Sequence, residues 1–416
     1  MARSTEALLR QLLGALEQEM PSAVALRHRL HERPELAHAE VQTAATIAQA
    51  LPVESLAVAG TGRIARVGPS DGAPVAVRAE LDGLPVEERT GAAFSASGAV
   101  MHACGHDVHM AALIALTRAA HVLADALPAG LLAVFQPSEE AYPSGAEQLA
   151  RDELAASAPA AIVAAHVHPE LPWGAVGLDP GAVNASCDAV EITVEGEPSH
   201  GAYPHLGRDP ILAISQIVVA LHAQVGRRID PHGPAVLTVG VLEGGAAENV
   251  IPARARARAA LRAHRTGDRL ALREMVEEVV SGVAAAHGCR ARVELTPGEP
   301  ALENDPGIVA RARELLGAAE LAPAREWRSC GSDDFAFFAE LAPITMAFVG
   351  LDGADGFASH PLHHPELLAP DEAVRAVARV QAVLYLAAAS SGARAEHRSP
   401  LICHGARSEA ALRGSV

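Results

Sequence analysis

The chain of 416 residues contains no lysine, so its positive charge comes from arginine. With 33 basic against 50 acidic residues the formal charge is −17. That deficit of positive charge excludes nucleic acid and anionic membrane surfaces as expected partners. The missing lysine reads as the coding bias of an Ala- and Arg-rich chain. Aromatic residues make up only 3% against a hydrophobic share of 50%, so a large core must be built from Ala, Leu and Val. The five cysteines, Cys104, Cys187, Cys289, Cys330 and Cys403, are scattered and odd in number, which excludes a disulfide framework and suits reduced thiols. No run approaches the roughly 20 apolar residues of a membrane span. The opening Ala2–Leu9 lacks the apolar core of a signal peptide and carries Glu6. The expectation is a soluble cytoplasmic protein.

Length allows two domains. Apolar residues at 8, 9, 12, 13 and 16 predict a helix from Thr5 to Met20, closed by Pro21, and Ser22 to Leu30 continues as helix toward Pro34. Ile64–Val67, Pro74–Arg78, Leu131–Phe135, Ala161–Ala165 and Ile344–Val349 read as buried strands, with helical patterns such as Met110–Leu127 and Ala146–Ala156 between them. The alternation predicts an α/β fold, a three-layer domain around a mixed central sheet. From about Ala185 the texture changes. Strand, helix, strand, strand, helix, strand follow one another as Ala189–Glu195, Pro210–Val225, Ala235–Glu243, Ala253–Ala263, Arg269–His287 and Arg292–Leu295. That is the split, ferredoxin-like α+β order. The expected division is a discontinuous domain of residues 1–184 and 296–392, an inserted domain of 185–295, and an aperiodic tail at 393–416 expected to be disordered.

The chemistry gathers at a few loops. In His102-Ala103-Cys104-Gly105-His106-Asp107 a thiol and an imidazole stand two residues apart, and in extended backbone both would face one ion. Gly105 removes a side chain that would crowd it. The bland alternative is a buried Cys beside a surface His. Glu139 and Glu140 follow Leu131–Phe135, at the strand end where open α/β sheets bind ligands. A turn at Pro137 could send one carboxylate to a metal and leave the other beside a water; a solvated acidic turn is the alternative. His166 ends Ala161–Ala165, His168 falls in the following loop, and His363 lies in Pro361-Leu362-His363-His364-Pro365. Each alone could be an ordinary loop histidine. Several candidate ligands, most of them just past predicted core strands, are harder to obtain by accident.

The ordered blocks Leu30-His31-Glu32-Arg33-Pro34-Glu35-Leu36, Arg78-Ala79-Glu80-Leu81-Asp82-Gly83-Leu84-Pro85, the Cys104/His106 loop, Gln136–Glu140, Ser199-His200-Gly201-Ala202, Asn249-Val250-Ile251-Pro252, Gly331-Ser332-Asp333-Asp334-Phe335 and Leu362-His363-His364-Pro365 carry a resemblance. Over roughly residues 20 to 390 the chain resembles the co-catalytic metallopeptidases that include aminoacylases and carboxypeptidases. It is most similar to the branch of hippurate hydrolases, N-acetyl-diaminopimelate deacetylases and auxin-conjugate amidohydrolases. The resemblance implies two divalent metal ions (Zn, Mn, Co or Ni) held by Cys104, His106, Glu140, His166 and His363, with Glu139 as general base. Such cations polarise a scissile carbonyl and acidify water. It further implies Asp82 behind the site and His200 as an oxyanion donor acting on the partner subunit of a homodimer built through the inserted domain. Asn249 and Arg262 would contact substrate. Glu80 stands where the branch usually has Asp, and Asp333 where it usually has Glu. Asp107 could hold an imidazole or simply cap a helix N-terminus. Asp333 is expected to line the substrate side, or Ser332 to begin a helix.

The expected activity is hydrolysis of the amide of a small N-acyl amino acid. A dipeptidase or carboxypeptidase acting on free amines is a second reading, and a non-catalytic binder of acyl amino acids a third.

Overall fold

The computed structural model describes residues 2–391; the tail expected at 393–416 lies outside them. An eight-stranded mixed sheet forms the centre. Its spatial order is Leu56–Val58, Gly62–Val67, Leu131–Gln136, Val75–Glu80, Ala161–Pro172, Ile344–Asp352, Ala175–Gly177 and Ala322–Pro323. The four middle strands run parallel, with Val75 opposite both Leu131 and Ala161, and Ile344 opposite Ile162. Parallel strands covered on both faces need apolar residues at every position, and Val75–Glu80 and Leu131–Gln136 are buried throughout.

Val75, Val77, Ala133 and Val163 face the helices Ala2–His31, His106–Val122, Pro306–Leu316 and Glu372–Ser390. Ala76, Leu132, Val134 and Ile162 face the shorter helix Gly145–Arg151 and the 3-10 helix Asp334–Glu340. Three layers result, as the alternation predicts.

The first helix corrects one expectation. Pro21 does not close it; Ala2–His31 is continuous with the proline inside. Leu12, Leu16, Met20, Ala23, Leu26 and Leu30 keep one buried stripe across Pro21, so packing overrides the lost hydrogen bond. The second correction concerns Ala161–Pro172, a strand of 12 residues. Its pairing with Val75–Glu80 ends at Ala164, but Ile344–Asp352 accompanies it as far as Pro172. His166 and His168 therefore lie within a strand that has lost one neighbour, not at its end.

A separate four-stranded antiparallel sheet has the order Ala235–Gly244, Arg254–Ala263, Ser186–Glu195, Arg290–Pro297. Helices Pro210–Arg228 and Thr266–Ala286 cover one face, giving the ferredoxin-like arrangement. The Arg/Ala alternation of Arg254–Ala263 is literal, each Arg through Arg258 exposed and each intervening Ala buried. Asp209 caps Pro210–Arg228 by accepting from the amides of Ile211 and Leu212. Pro210–Arg228 and Glu372–Ser390 reach the length and apolar composition of a membrane span, but Pro210–Arg228 packs Ala213, Ile214, Ile217 and Leu221 onto the four-stranded sheet. Glu372–Ser390 is instead a core helix.

Candidate metal centre

The site assembles where the parallel strands end. Val75–Glu80 leads into Asp82, Leu131–Gln136 into Glu139 and Glu140, and Ala161–Pro172 carries His166. The loop before the helix His106–Val122 brings Cys104 and His106 over the same edge. One donor atom from each of Cys104, His106 and Glu140 lies within 4.8 Å of the others. His166 joins them with Nε2 3.5 Å from Cys104 Sγ, and His363 with Nε2 3.4 Å from Glu140 Oε1. His106 Nε2 stands 3.9 Å from both Glu139 Oε2 and Glu140 Oε1.

Local structure explains how each gets there. Cys104 and His106 do not share a face of extended chain as the spacing suggests. Gly105 adopts φ +86 and His106 starts a helix, so a turn brings the pair together. A Cβ at position 105 would come within 2.5 Å of Val167 Cγ2. The glycine is required by backbone conformation and by packing on Val167, rather than by room for an ion. Ser138 sits at φ +52 with its amide bonded to Glu40 Oε1 at 2.7 Å, fixing the turn that presents Glu139 and Glu140. Glu140 N donates to Asp82 Oδ2 at 2.9 Å. His363 N donates to Ala103 O at 2.8 Å, tying its turn to the Cys104 loop.

Tautomers follow from the second nitrogens. His106 Nδ1 donates to the Asp82 carbonyl at 2.9 Å, and His166 Nδ1 to the Val167 carbonyl at 2.6 Å. Each ring thus turns its Nε2 toward the cluster. Asp82 sits behind His106, its Oδ1 3.6 Å from Nδ1.

The buried atoms His106 Nε2, Glu140 Oε1 and Asp82 Oδ1 have no hydrogen-bond partner. Buried polar atoms are normally satisfied; His106 Nε2 and Glu140 Oε1, left without partners 3.9 Å apart beside the Cys104 thiol, are what a cation would satisfy. Charge points the same way, since Glu80, Asp82, Glu139, Glu140, Asp333 and Asp334 surround the edge and Arg78 is the buried arginine among them. Burial alone would depress the His106 pKa, but Glu80, Asp82 and Glu140 push it up to about 10. A surplus of negative charge that holds a proton so firmly also attracts a metal ion. For His166 burial prevails, assisted by His109, and holds it neutral, well below the ordinary imidazole range. Burial, then the charges of Asp333, Glu140 and Asp334, holds Glu139 well above the usual carboxylate range against the pull of Arg78.

His109 is a buried residue that the sequence reading passed over. Its Nδ1 donates to Glu80 Oε2 at 2.9 Å and its Nε2 accepts from Val167 N at 3.0 Å. The strand amide freed when Val75–Glu80 ends is satisfied by this ring. A grouping of Glu80, His106, His109 and His166 meets simple ligand spacing, but both His109 nitrogens are committed, so this ring supports the site without ligating. The i,i+3 spacing of His106 and His109 on one helix was the available signal. Arg78 was also unforeseen. It pairs with Glu80, donates to Asp334 Oδ1 at 2.9 Å and to Asp333 Oδ1 at 3.3 Å, and donates to Gln136 Oε1 at 2.8 Å. Asp334 also accepts from Gln136 Nε2 and from Ser144 Oγ at 2.7 Å.

Asp107 holds an imidazole, but that of His31, at 3.0 Å, while also accepting from Arg27 at 2.9 Å. Asp333, not Ser332, caps the following 3-10 helix, through Phe335 N at 2.8 Å. His200 is exposed in the short strand Ser199–His200 opposite Val250, with Gly201 N bonded to Asn249 O at 2.7 Å. His200 and Asn249 are thereby brought together, and no hydrogen bond or ion pair joins either to the Cys104 cluster among the described residues. Arg262 reaches from the four-stranded sheet to Cys330 O at 3.0 Å, just ahead of Asp333.

An α/β sheet whose strand ends gather a thiol, three imidazoles and a spare acid around orphaned donors defines a metal-dependent hydrolase. Residues 76–386 match the family described as "Peptidase family M20/M25/M40", and the chain belongs to that family. It is 33% identical to the N-acetyl-L-cysteine deacetylase of Bacillus subtilis over 87% of this chain and 86% of that one. It is 34% identical to the N-acetyldiaminopimelate deacetylase of Halalkalibacterium halodurans over 88% and 99%. A crystal structure of a dinuclear metal binding peptidase of the M20 family from Bacillus subtilis superposes with TM-score 0.78 at 29% identity, covering 89% and 98%. A putative aminohydrolase from methicillin-resistant Staphylococcus aureus does so with TM-score 0.85 at 27% identity, covering 90% and 98%.

Proposed function

We propose that the protein is a two-cation amidohydrolase that cleaves N-acyl amino acids to a carboxylic acid and a free amino acid. The observation that carries this reading is the juxtaposition of orphaned His106 Nε2 and Glu140 Oε1 with the adjacent acid Glu139. The names of the deacetylase relatives support the substrate class.

Cys104, His106, Glu140, His166 and His363 are assigned as ligands. A mixed thiol, imidazole and carboxylate set suits Zn, Mn, Co or Ni. Cations held there supply Lewis-acid polarisation of the scissile carbonyl. Glu139 takes the proton of the attacking water and passes it to the leaving nitrogen, a role its place 3.9 Å from His106 Nε2 and beside Glu140 allows. Asp82 fixes the His106 ring through its backbone carbonyl.

Residues 185–295 are assigned as a lid and dimerisation domain inserted between 1–184 and 296–392. Its edge strand Ala235–Gly244 has one neighbour in the sheet, and Val236, Leu242, Leu212 and Val219 are exposed nearby. An uncovered edge and apolar residues of this kind suit a homodimer. His200 would then enter the partner's site as an oxyanion donor, with Asn249 beside it and Arg262 on the substrate carboxylate. The free thiols Cys104, Cys187, Cys289 and Cys330 suit a cytoplasmic setting.

Apo protein reloaded with single metals and offered N-acetyl and N-benzoyl amino acids and free dipeptides tests the reading. Metal-dependent release from the blocked substrates is expected. Preference for free dipeptides would replace it with a dipeptidase. Glu139→Gln should lower kcat by about 10²–10⁴-fold with metal content unchanged; intact turnover would remove Glu139 as base.

A further inference from the structure

The turn that presents His363 carries two more imidazoles. His360 and His364 stack face to face with centroids 4.4 Å apart and planes 1° from parallel. Glu366 Oε2 lies 3.4 Å from His360 Nε2. One donor atom from each of these three residues lies within 4.8 Å of the others. The turn is anchored by bonds that do not involve their donor atoms. His363 N donates to Ala103 O and Arg89 N to Pro365 O, both at 2.8 Å, and Leu367 N to His364 O at 3.0 Å. None of the three side chains contributes to the site around Cys104.

We propose that His360, His364 and Glu366 form an additional cation site for a borderline transition metal of the Zn²⁺, Ni²⁺ or Co²⁺ class. Two imidazoles and one carboxylate are a donor set that such ions accept and that Mg²⁺ or Ca²⁺, which favour oxygen, do not. Tetrahedral ligands at about 2.0–2.1 Å from zinc stand roughly 3.4 Å apart, a separation His360 and Glu366 already hold. His364 completes the set by side-chain rotation, because none of the three is fully buried. The rearrangement gives up the 3.2 Å bond that His364 Nδ1 accepts from the Glu366 amide, where water can take over. Three protein ligands leave a further position for water, as in an open site. An ion gripping residues 360, 364 and 366 brackets His363, so its occupancy stiffens the turn whose ring meets Glu140 at 3.4 Å.

Equilibrium dialysis of the full chain against graded free Zn²⁺, read by elemental analysis, tests the site. H360A/H364A should saturate one zinc equivalent below the wild type while keeping the wild-type unfolding midpoint in the absence of zinc. E366A should lose the same equivalent. Equal saturation of wild type and H360A/H364A overturns the proposal, as does retention of the equivalent in E366A. C104A/H106A reports separately on the proposed catalytic cations. Loss there with the H360A/H364A difference intact leaves this site standing, and the converse leaves the catalytic assignment standing.

Discussion

Shortening Glu80 to Asp isolates the polar network behind the proposed base. Its carboxylate pairs with Arg78 and accepts from His109 Nδ1 at 2.9 Å. Glu80→Asp withdraws that carboxylate by one carbon–carbon bond, roughly 1.5 Å. The His109 contact then falls outside hydrogen-bond range. His109 is fully buried and its other nitrogen serves Val167, so water does not replace the lost acceptor. An orphaned buried donor costs about 1–3 kcal/mol. Asp333→Glu does the reverse, pushing a longer side chain toward Arg78 Nη2, now 3.3 Å from Asp333 Oδ1. Overpacking of that kind costs about 1–3 kcal/mol. In the double variant the same number of methylenes surrounds Arg78, so a small shift of the guanidinium toward the shortened carboxylate relieves the overpacking and keeps the ion pair, leaving only the lost His109 bond. Urea unfolding of wild type, both single variants and the double variant, each metal-loaded, should give a favourable coupling of about 1–2 kcal/mol, within the usual span for residues sharing a network. The rates should follow the same pattern, because Asp333 also borders Glu139. Additivity within about 0.3–0.5 kcal/mol would refute the argument that Glu80 and Asp333 share Arg78.

Burial pushes the His31 pKa down, but the charge and bond of Asp107, with Glu88 beyond, lift it to about 9 from 6.5. Its contribution is complete below pH 6.5 and is lost as pH rises through 9, a span worth about 3 kcal/mol. His31→Gln should flatten that alkaline decline in unfolding free energy; an unchanged slope would contradict it. His109→Ala leaves the Val167 amide and Glu80 without their partner, and should weaken metal binding by about 10–100-fold in competition titrations, whereas unaltered affinity would remove its supporting role. If His200 acts in trans, mixing inactive H200A with inactive E139Q restores one working site per mixed dimer, roughly a quarter of wild-type activity for random pairing. No recovery in demonstrably mixed dimers would place His200 in its own subunit's site or outside catalysis.

The layered α/β arrangement and the ferredoxin-like insertion were legible because periodicity encodes them directly. The Arg/Ala repeat of Arg254–Ala263 shows which face is wet without any tertiary information. Pro21 misled because local breaking is outweighed by a buried stripe that only packing reveals. His166 was found, yet placed at a strand end, because pairing with Ile344–Asp352 over that length is a non-local fact. The five candidate ligands were nameable through resemblance, but their support was not. The partners of Arg78 lie 2 to 256 positions away in sequence, and no spacing rule announces that Asp333, Asp334 and Gln136 meet one guanidinium. His109 was hidden in plain sight, since an imidazole that bonds a strand amide has the same sequence signature as one that binds a metal.

Anomalous diffraction at the absorption edge of the metal, from crystals of the reloaded protein, probes the central assignment. The account predicts two cation peaks bounded by Cys104, His106, Glu140, His166 and His363, with Glu139 close by but uncoordinated. Peaks that leave Cys104 and His363 untouched, or that take His109 or Glu139 as a ligand, would contradict it.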